Sequence, residues 1–167
     1  TGTPRLLKLR ENAVFEVILP EFGRAALRLH RRGYQTEDAI RSELWWMSAL
    51  ADHGLAVPRP LETPDGALVV HLADGRIASL LSWIEGTPVG EAGQPLPGTG
   101  EEQMRLHASI GRILGELHIA TDRLHLPPTF RRPRWDVEGL LGQAPFWGRF
   151  WEHPSAREAE ARLLAEA

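Results

Sequence analysis

The chain has 167 residues, a formal net charge of −3 and no cysteine. Its 43% hydrophobic and 25% charged content is typical of a globular protein that is long enough to bury one core. The slightly acidic balance argues against nucleic-acid binding, because phosphate backbones are bound by basic faces. Two short basic runs, at residues 30–32 and 131–134, are therefore interpreted as solvated loops.

The lack of cysteine excludes disulfides, thiolate metal sites and a cysteine nucleophile. No apolar run approaches the roughly 20 residues of a membrane span, and the N-terminus has no signal-peptide pattern. We therefore expect a soluble, cytoplasmic protein without membrane or nucleic-acid partners. The first residue is Thr1, and a capping box at Ser155 and Glu158 opens a last helix that reaches no stop signal. These two features favour a piece of a longer chain.

The first three predicted elements are strands. Residues 5–10 and 13–19 form a hairpin around a tight turn at Glu11 and Asn12, where asparagine tolerates a positive φ. A turn at residues 20–23 leads into a third strand, residues 24–30. Side chains alternate along a strand, so Ala26 and Arg28 share one face.

An amphipathic helix follows the third strand. Thr36 is its predicted N-cap, and Gly54 follows its last turn. Its apolar stripe consists of Ile40, Leu44, Met47 and Ala51. Glu43 lies beside this stripe, so it either pairs with Arg28 or extends to water.

Two more strands, residues 67–72 and 77–84, follow Asp-Gly turns. A connection rich in glycine and proline, residues 86–100, precedes a long helix with a Thr99 N-cap. The apolar face of that helix is predicted to pack into a core, and His118 at its end is interpreted as structural or, alternatively, as a base or ligand. The aromatic-rich segment at 127–151 is interpreted as core or, alternatively, as an acceptor pocket.

The order of three strands, one helix and two strands resembles the small lobe of the kinase fold, as in the aminoglycoside phosphotransferase and choline kinase family. The resemblance is carried by Ala26-Leu27-Arg28 on a strand, by Glu43 on the next helix, and by residues 110–118 and 135–142. It implies an α+β, protein-kinase-like fold with a five-stranded antiparallel small lobe and one helix at residues 1–85. A hinge and linker would occupy residues 86–98, and the first part of a helical lobe residues 99–167.

The resemblance further implies an ATP-dependent small-molecule kinase that uses Mg²⁺ and transfers the γ-phosphate to a hydroxyl acceptor. Arg28 occupies the position of the kinase lysine that contacts the α- and β-phosphates, and Glu43 would hold it. The implied nucleotide contacts also include the first turn, the third strand and the hinge: Asn12, Ala13, Phe15, Ala26, Ser82, Trp83 and Ile84. The first turn contains asparagine in place of the glycine-rich loop of protein kinases. The hinge residues have an alternative interpretation as core strand residues.

The family's His-Gly-Asp catalytic loop, its following asparagine and its metal-binding aspartate occur nowhere in these residues. We therefore expect no catalytic residue or magnesium ligand in this chain, and we expect both beyond residue 167. A non-catalytic kinase-like module and a homoserine- or choline-type kinase are the alternatives. The acceptor, the choice between ATP and GTP, and the oligomeric state stay open.

Overall fold

The structure is a computed structural model that describes residues 2–91, 93–154 and 162. It divides into two compact units, Thr1–Phe130 and Arg131–Ala167. The strands of the first unit are β1 (Arg5–Leu9), β2 (Asn12–Leu19), β3 (Gly23–His30), β4 (Pro60–Leu61), β5 (Val70–His71) and β6 (Ile77–Ser82). Its helices are α1 (Glu37–Asp52) and α2 (Gly100–Asp122). The last predicted helix, behind Ser155, lies outside the described residues except for Arg162.

The strands form one antiparallel sheet in the order β1-β2-β3-β6-β4, and β5 pairs with another part of β6. The predicted α+β class and kinase-like antiparallel sheet are thus confirmed. The predicted count of five strands was wrong, because β4 was missed. Pro60 pairs with Leu81 at the sheet edge, where a residue without an N–H group is tolerated.

Three predicted boundaries also differ. The first turn lies at Arg10 and Glu11, Asn12 already belongs to β2, and no non-glycine residue of the described chain has a positive φ. The strand predicted at 67–72 is reduced to β5, and β6 ends at Ser82 rather than at residue 84. The two Asp-Gly turns are confirmed: Gly66 and Gly75 have φ of 81° and 78°.

Strand register separates two faces of the sheet, because directly opposed residues point to the same side. The helix face, which lies against α1, includes Ala26, Arg28, Ser79 and Leu81. The outer face includes Phe15, Leu27, Leu80 and Leu61. The core lies between α1 and the helix face and contains Ile40, Leu44, Val69 and Leu81.

Helix α1 begins and ends as predicted. The Thr36 hydroxyl accepts a hydrogen bond from the Ala39 N–H, and His53 caps the C-terminus immediately before Gly54. The same helix is joined to α2 by the indole Nε1 of Trp46, which donates to Thr121 Oγ1 at 3.1 Å. The sheet, α1 and α2 therefore belong to one packed unit.

Helix α2 begins at the predicted Thr99 cap, where Thr99 and Glu102 bond reciprocally in a capping box. Its apolar face does not enter a core, because Ile113 and Leu114 are half exposed and His118 is exposed as well. The prediction of a structural histidine on a buried face was wrong. Periodicity correctly identified the apolar face, but it does not indicate what covers that face.

The second unit contains a short helix, α3 (Val137–Leu141), and a 3₁₀ turn, Phe150–Glu152. Trp135 and Trp147 meet edge to face with ring centroids 4.7 Å apart, and both are exposed. The prediction that the aromatic segment forms core is therefore wrong for these two rings. No helix of the described chain is both long and apolar enough to cross a bilayer.

Candidate functional site

The half-buried ion pair between Arg28 and Glu43 lies at the centre of the helix face. Arg28 Nη1 donates to Glu43 Oε1 at 2.7 Å, and the two side chains are only 16% and 19% exposed. Strand β3 fixes the direction of Arg28, and Glu43 lies two helical turns after the Thr36 cap. The alternative in which Glu43 extends to water therefore does not occur. The pair leaves further guanidinium N–H groups of Arg28 for another acceptor.

Asn12 lies on the same face, at the start of β2. In the amide orientation that turns its oxygen to Arg28, it accepts from Nη2 at 3.2 Å. Ala13 and Phe15 alternate with it and point to the outer face, so their side chains do not meet Arg28. Any contact that these two residues make with a nucleotide must then come from the backbone. Their assignment remains a prediction.

His30 adds a neutral group beside the ion pair. It is 6% exposed, and its Nε2 lies 2.9 Å from Ser79 Oγ. Burial lowers the pKa of His30 from 6.5 to about 4, assisted by the nearby Arg28 charge and opposed by Glu43. The Arg28 guanidinium is therefore the cation of this cluster at neutral pH.

A second cation on the helix face was missed by sequence reasoning. Arg24 Nε donates to Glu16 Oε1 at 2.9 Å, and Arg24 Nη1 donates to Glu85 Oε1 at 2.7 Å. Glu16 also accepts from Arg5, and hydrogen bonding by Arg5 and Arg24 lowers the pKa of its carboxyl. Arg24 lies on the same face of β3 as Arg28, which was the available signal, but its partner Glu85 is 61 residues away in the sequence.

The predicted hinge residues differ in their availability. The Ser82 N–H donates to the Arg59 carbonyl at 2.7 Å, and Ser82 Oγ accepts from the Arg59 N–H at 2.8 Å, so Ser82 is already engaged. Trp83 packs under Arg24, whose guanidinium carbon lies 4.1 Å from the ring centroid. Within the described chain, the main chain of Ile84 joins no hydrogen bond and its residue is 47% exposed. The exposed main chain of Ile84 is therefore accessible to a ligand.

A divalent metal has no complete site in the described residues. They contain no group of three or more histidine, aspartate or glutamate side chains placed to hold an ion. Glu43 and Glu16 are each engaged by arginine. The described residues therefore do not fit a resident magnesium ion.

The family model of the phosphotransferase enzyme family matches residues 4–167. The chain therefore belongs to the phosphotransferase enzyme family, which agrees with the resemblance found in the sequence. The match extends over both compact units. The kinase-like interpretation thus applies to nearly the whole chain.

Curated relatives are small-molecule kinases. The homoserine kinase of Rhizobium etli (strain CIAT 652) is 31% identical over 115 residues, which cover 68% of this chain and 29% of that protein. The amicoumacin kinase of Bacillus subtilis (strain 168) is 30% identical over 139 residues, which cover 82% of this chain and 40% of that protein. The chain thus spans less than half the length of the relatives that it matches.

Solved structures lead to the same fold. A microcompartment-associated aminopropanol kinase superposes with a TM-score of 0.70 at 33% identity, covering 89% of this chain and 44% of that one. An amicoumacin kinase, solved in complex with AMP-PNP, Ca²⁺ and Ami, superposes with a TM-score of 0.66 at 22% identity, covering 83% and 40%. The second likeness concerns the fold alone.

Proposed function

We propose that this chain is the nucleotide-binding part of an ATP-dependent small-molecule kinase, in which Arg28 contacts the α- and β-phosphates. The observation that carries the proposal is the Arg28–Glu43 pair, a cation held in one position by a helix carboxylate on a sheet face. Family membership supports the reaction class, phosphoryl transfer to a small molecule. Phosphoryl transfer depends mainly on positioning and charge stabilisation, so a fixed cation is the appropriate type of group.

Arginine in place of lysine fits this role chemically. A guanidinium has five N–H donors in a planar fork, so it can contact Glu43 with one nitrogen and phosphate oxygens with others. Lysine would present a single ammonium with three donors. In this proposal Arg28 meets the phosphates with the donors that face away from Glu43, and Asn12 orients the guanidinium from the β1–β2 end.

The adenine end of the site is proposed at Trp83 and Ile84. The unpaired backbone of Ile84 offers one donor and one acceptor to the edge of a purine ring. Ala26, between Arg24 and Arg28 on the helix face, has a small side chain that packs against the core. Arg59 already engages Ser82, so Ser82 would contribute only its backbone carbonyl at the end of the strand.

Calorimetric titration of this chain with Mg-ATP tests the proposal. The Arg28→Ala variant should bind at least about tenfold more weakly, because it loses a charge-assisted contact of about 1.5–3 kcal/mol. Arg41→Ala is the matched control. Arg41 also forms an ion pair with a glutamate, Glu37, but this pair is exposed and lies within α1. Equal affinities of wild type and Arg28→Ala would refute the assignment of Arg28.

Amino alcohols are the proposed acceptor class. The relatives include a homoserine kinase and an aminopropanol kinase, and both homoserine and aminopropanol carry an amine and a hydroxyl. A screen of hydroxyl acceptors, performed with the protein that contains this chain, tests this refinement. Transfer of the γ-phosphate to an aminoglycoside but not to amino alcohols would contradict it.

A non-catalytic nucleotide-binding module is the rival proposal. Arginine at the lysine position and the lack of a His-Gly-Asp loop within residues 1–167 both permit it. Both proposals predict Mg-ATP binding by this chain, so binding does not separate them. Transfer of phosphate to any acceptor by the protein that contains this chain would exclude the rival.

A further inference from the structure

The outer face of the sheet is apolar although it lies opposite to α1. Phe15, Leu27, Leu80 and Leu61 are directly opposed across β2, β3, β6 and β4, and they form one apolar row. Because α1 packs on the other face, the segments that pack over this row are the turn after β2 and the loop between β4 and β5. These two segments do not close over it completely.

The space that they leave is a cavity of about 460 Å³. Twelve of its sixteen lining residues are apolar, and they include Leu27 and Leu80 from the sheet, Phe22 from the turn and Val70 from β5. Cavities of roughly 300–1,000 Å³ with an apolar lining are the usual sites of small-molecule binding. This one lies on the face opposite to Arg28, so it is separate from the proposed nucleotide site.

The polar groups of the lining define the charge of a ligand. Thr63 Oγ1 is engaged with Asp65 and with the backbone of Ala67, and Ser79 Oγ is engaged with His30. The two remaining polar side chains are the exposed carboxylates of Glu21 and Glu62. Neither has a hydrogen-bond or ion-pair partner among the described residues, and no cation contributes to the lining.

We propose that this cavity binds a small apolar molecule that carries an ammonium group, with the apolar body against Leu27 and Leu80 and the ammonium at Glu21 and Glu62. The apolar body supplies most of the affinity, because burial of apolar area is the larger favourable effect. The exposed carboxylates supply selectivity for a cation, since exposed ion pairs contribute up to about fivefold in affinity.

Three fluorescent probes with one common ring system test the charge requirement on this chain. Dansylcadaverine carries an ammonium, dansylamide is neutral and dansylglycine carries a carboxylate. We expect saturable binding in the order dansylcadaverine, dansylamide, dansylglycine, with about two- to fivefold between the first two. Binding of dansylglycine as tight as that of dansylcadaverine would overturn the proposed ligand class.

Two pairs of variants test the location. Val70→Trp fills the cavity from an exposed position and should abolish binding of all three probes, whereas Ile18→Trp, from a similarly exposed position outside the lining, should not. Glu21→Gln/Glu62→Gln should remove the preference for dansylcadaverine over dansylamide. Its matched control, Glu91→Gln/Asp122→Asn, removes two exposed carboxylates outside the lining and should keep that preference.

A measurement on the unmodified chain keeps the test independent of variant folding. In methyl NMR spectra, dansylcadaverine should shift the signals of Val17, Leu27 and Leu80 and leave those of Ile40 and Leu44 unchanged. Shifts confined to residues outside the lining, or no saturable shift, would refute the cavity as the site. Mg-ATP affinity tests a different face, so failure of either proposal leaves the other one standing.

Discussion

The charged side chains of Arg28 and Glu43 are largely desolvated. The attraction between them is the main compensation for the cost of that desolvation. A half-buried charge that loses its partner remains desolvated, whereas replacement of both charges by apolar groups of similar size removes the problem. Stability and nucleotide affinity therefore respond differently to single and double substitutions at this pair. This difference allows a structural role to be separated from a binding role.

We predict that Arg28→Met and Glu43→Leu each lower the free energy of unfolding by about 1–3 kcal/mol, below the 3–5 kcal/mol of fully buried pairs because both side chains are partly exposed. The double variant Arg28→Met/Glu43→Leu should recover most of that loss, yet it should still bind Mg-ATP weakly. Urea unfolding and calorimetry on the four proteins provide the measurements. Additive losses of stability would mean that the pair has no net coupling.

His30 should make stability depend on pH. Its folded pKa of about 4 lies below its ordinary value of 6.5, so between these values the unfolded chain binds a proton that the folded chain does not. Stability should therefore be constant above about pH 6.5 and fall as the pH decreases toward 4, by at most about 1.4 kcal/mol per pH unit. His30→Gln should flatten this slope relative to wild type, and His125→Gln, at an exposed position, should not. Parallel curves for wild type and His30→Gln would contradict the prediction.

Helix α1 matters at the element scale because it carries Glu43 to the sheet. Its direction is set at the N-terminus by the Thr36 cap and along its length by Ile40 and Leu44 in the core. The cap also provides a hydrogen-bond acceptor for one of the N–H groups in the first turn, which have no partner within the helix. The position of the ion pair thus depends on a hydroxyl group two turns away.

We predict that Thr36→Ala lowers the free energy of unfolding by about 1 kcal/mol, because the Ala39 N–H loses its acceptor. Thr36→Ser keeps a hydroxyl oxygen at the same place and should retain most of the stability. Thermal unfolding followed by circular dichroism measures both variants. Equal losses in the two would show that the methyl group, not the hydroxyl, is responsible.

Strand and helix periods placed Arg28 on one face of β3 and Glu43 beside the apolar stripe of α1, but they left open whether Glu43 pairs with Arg28 or extends to water. They were insufficient for Arg24, whose partners Glu16 and Glu85 come from other elements and depend on tertiary arrangement. Strand β4 was missed because a proline at a sheet edge resembles a stop signal. These failures concern long-range pairing, which a local pattern does not encode.

At the scale of the whole molecule, the exposed apolar surface of the described residues includes parts of two regular elements. One is the face of α2 that includes Ile113 and Leu114, and the other is the strand β1 at the sheet edge. The apolar face of α2 was predicted from the sequence, because the helical period is a local property. Its exposure was not predicted, because burial depends on what else is packed against the helix.

Among the described residues, strand β1 has no neighbouring strand on its outer side, and its Leu6, Leu7 and Leu9 are exposed. Such an edge can template the addition of a strand from another molecule. The register shift between Leu6 and Lys8, and the charge of Lys8 itself, act against such templated association. Lys8→Val should therefore increase light scattering at high protein concentration, whereas Lys8→Arg should not. The charge of Lys8 and the register shift in the five-residue strand β1 thus both reduce association between molecules.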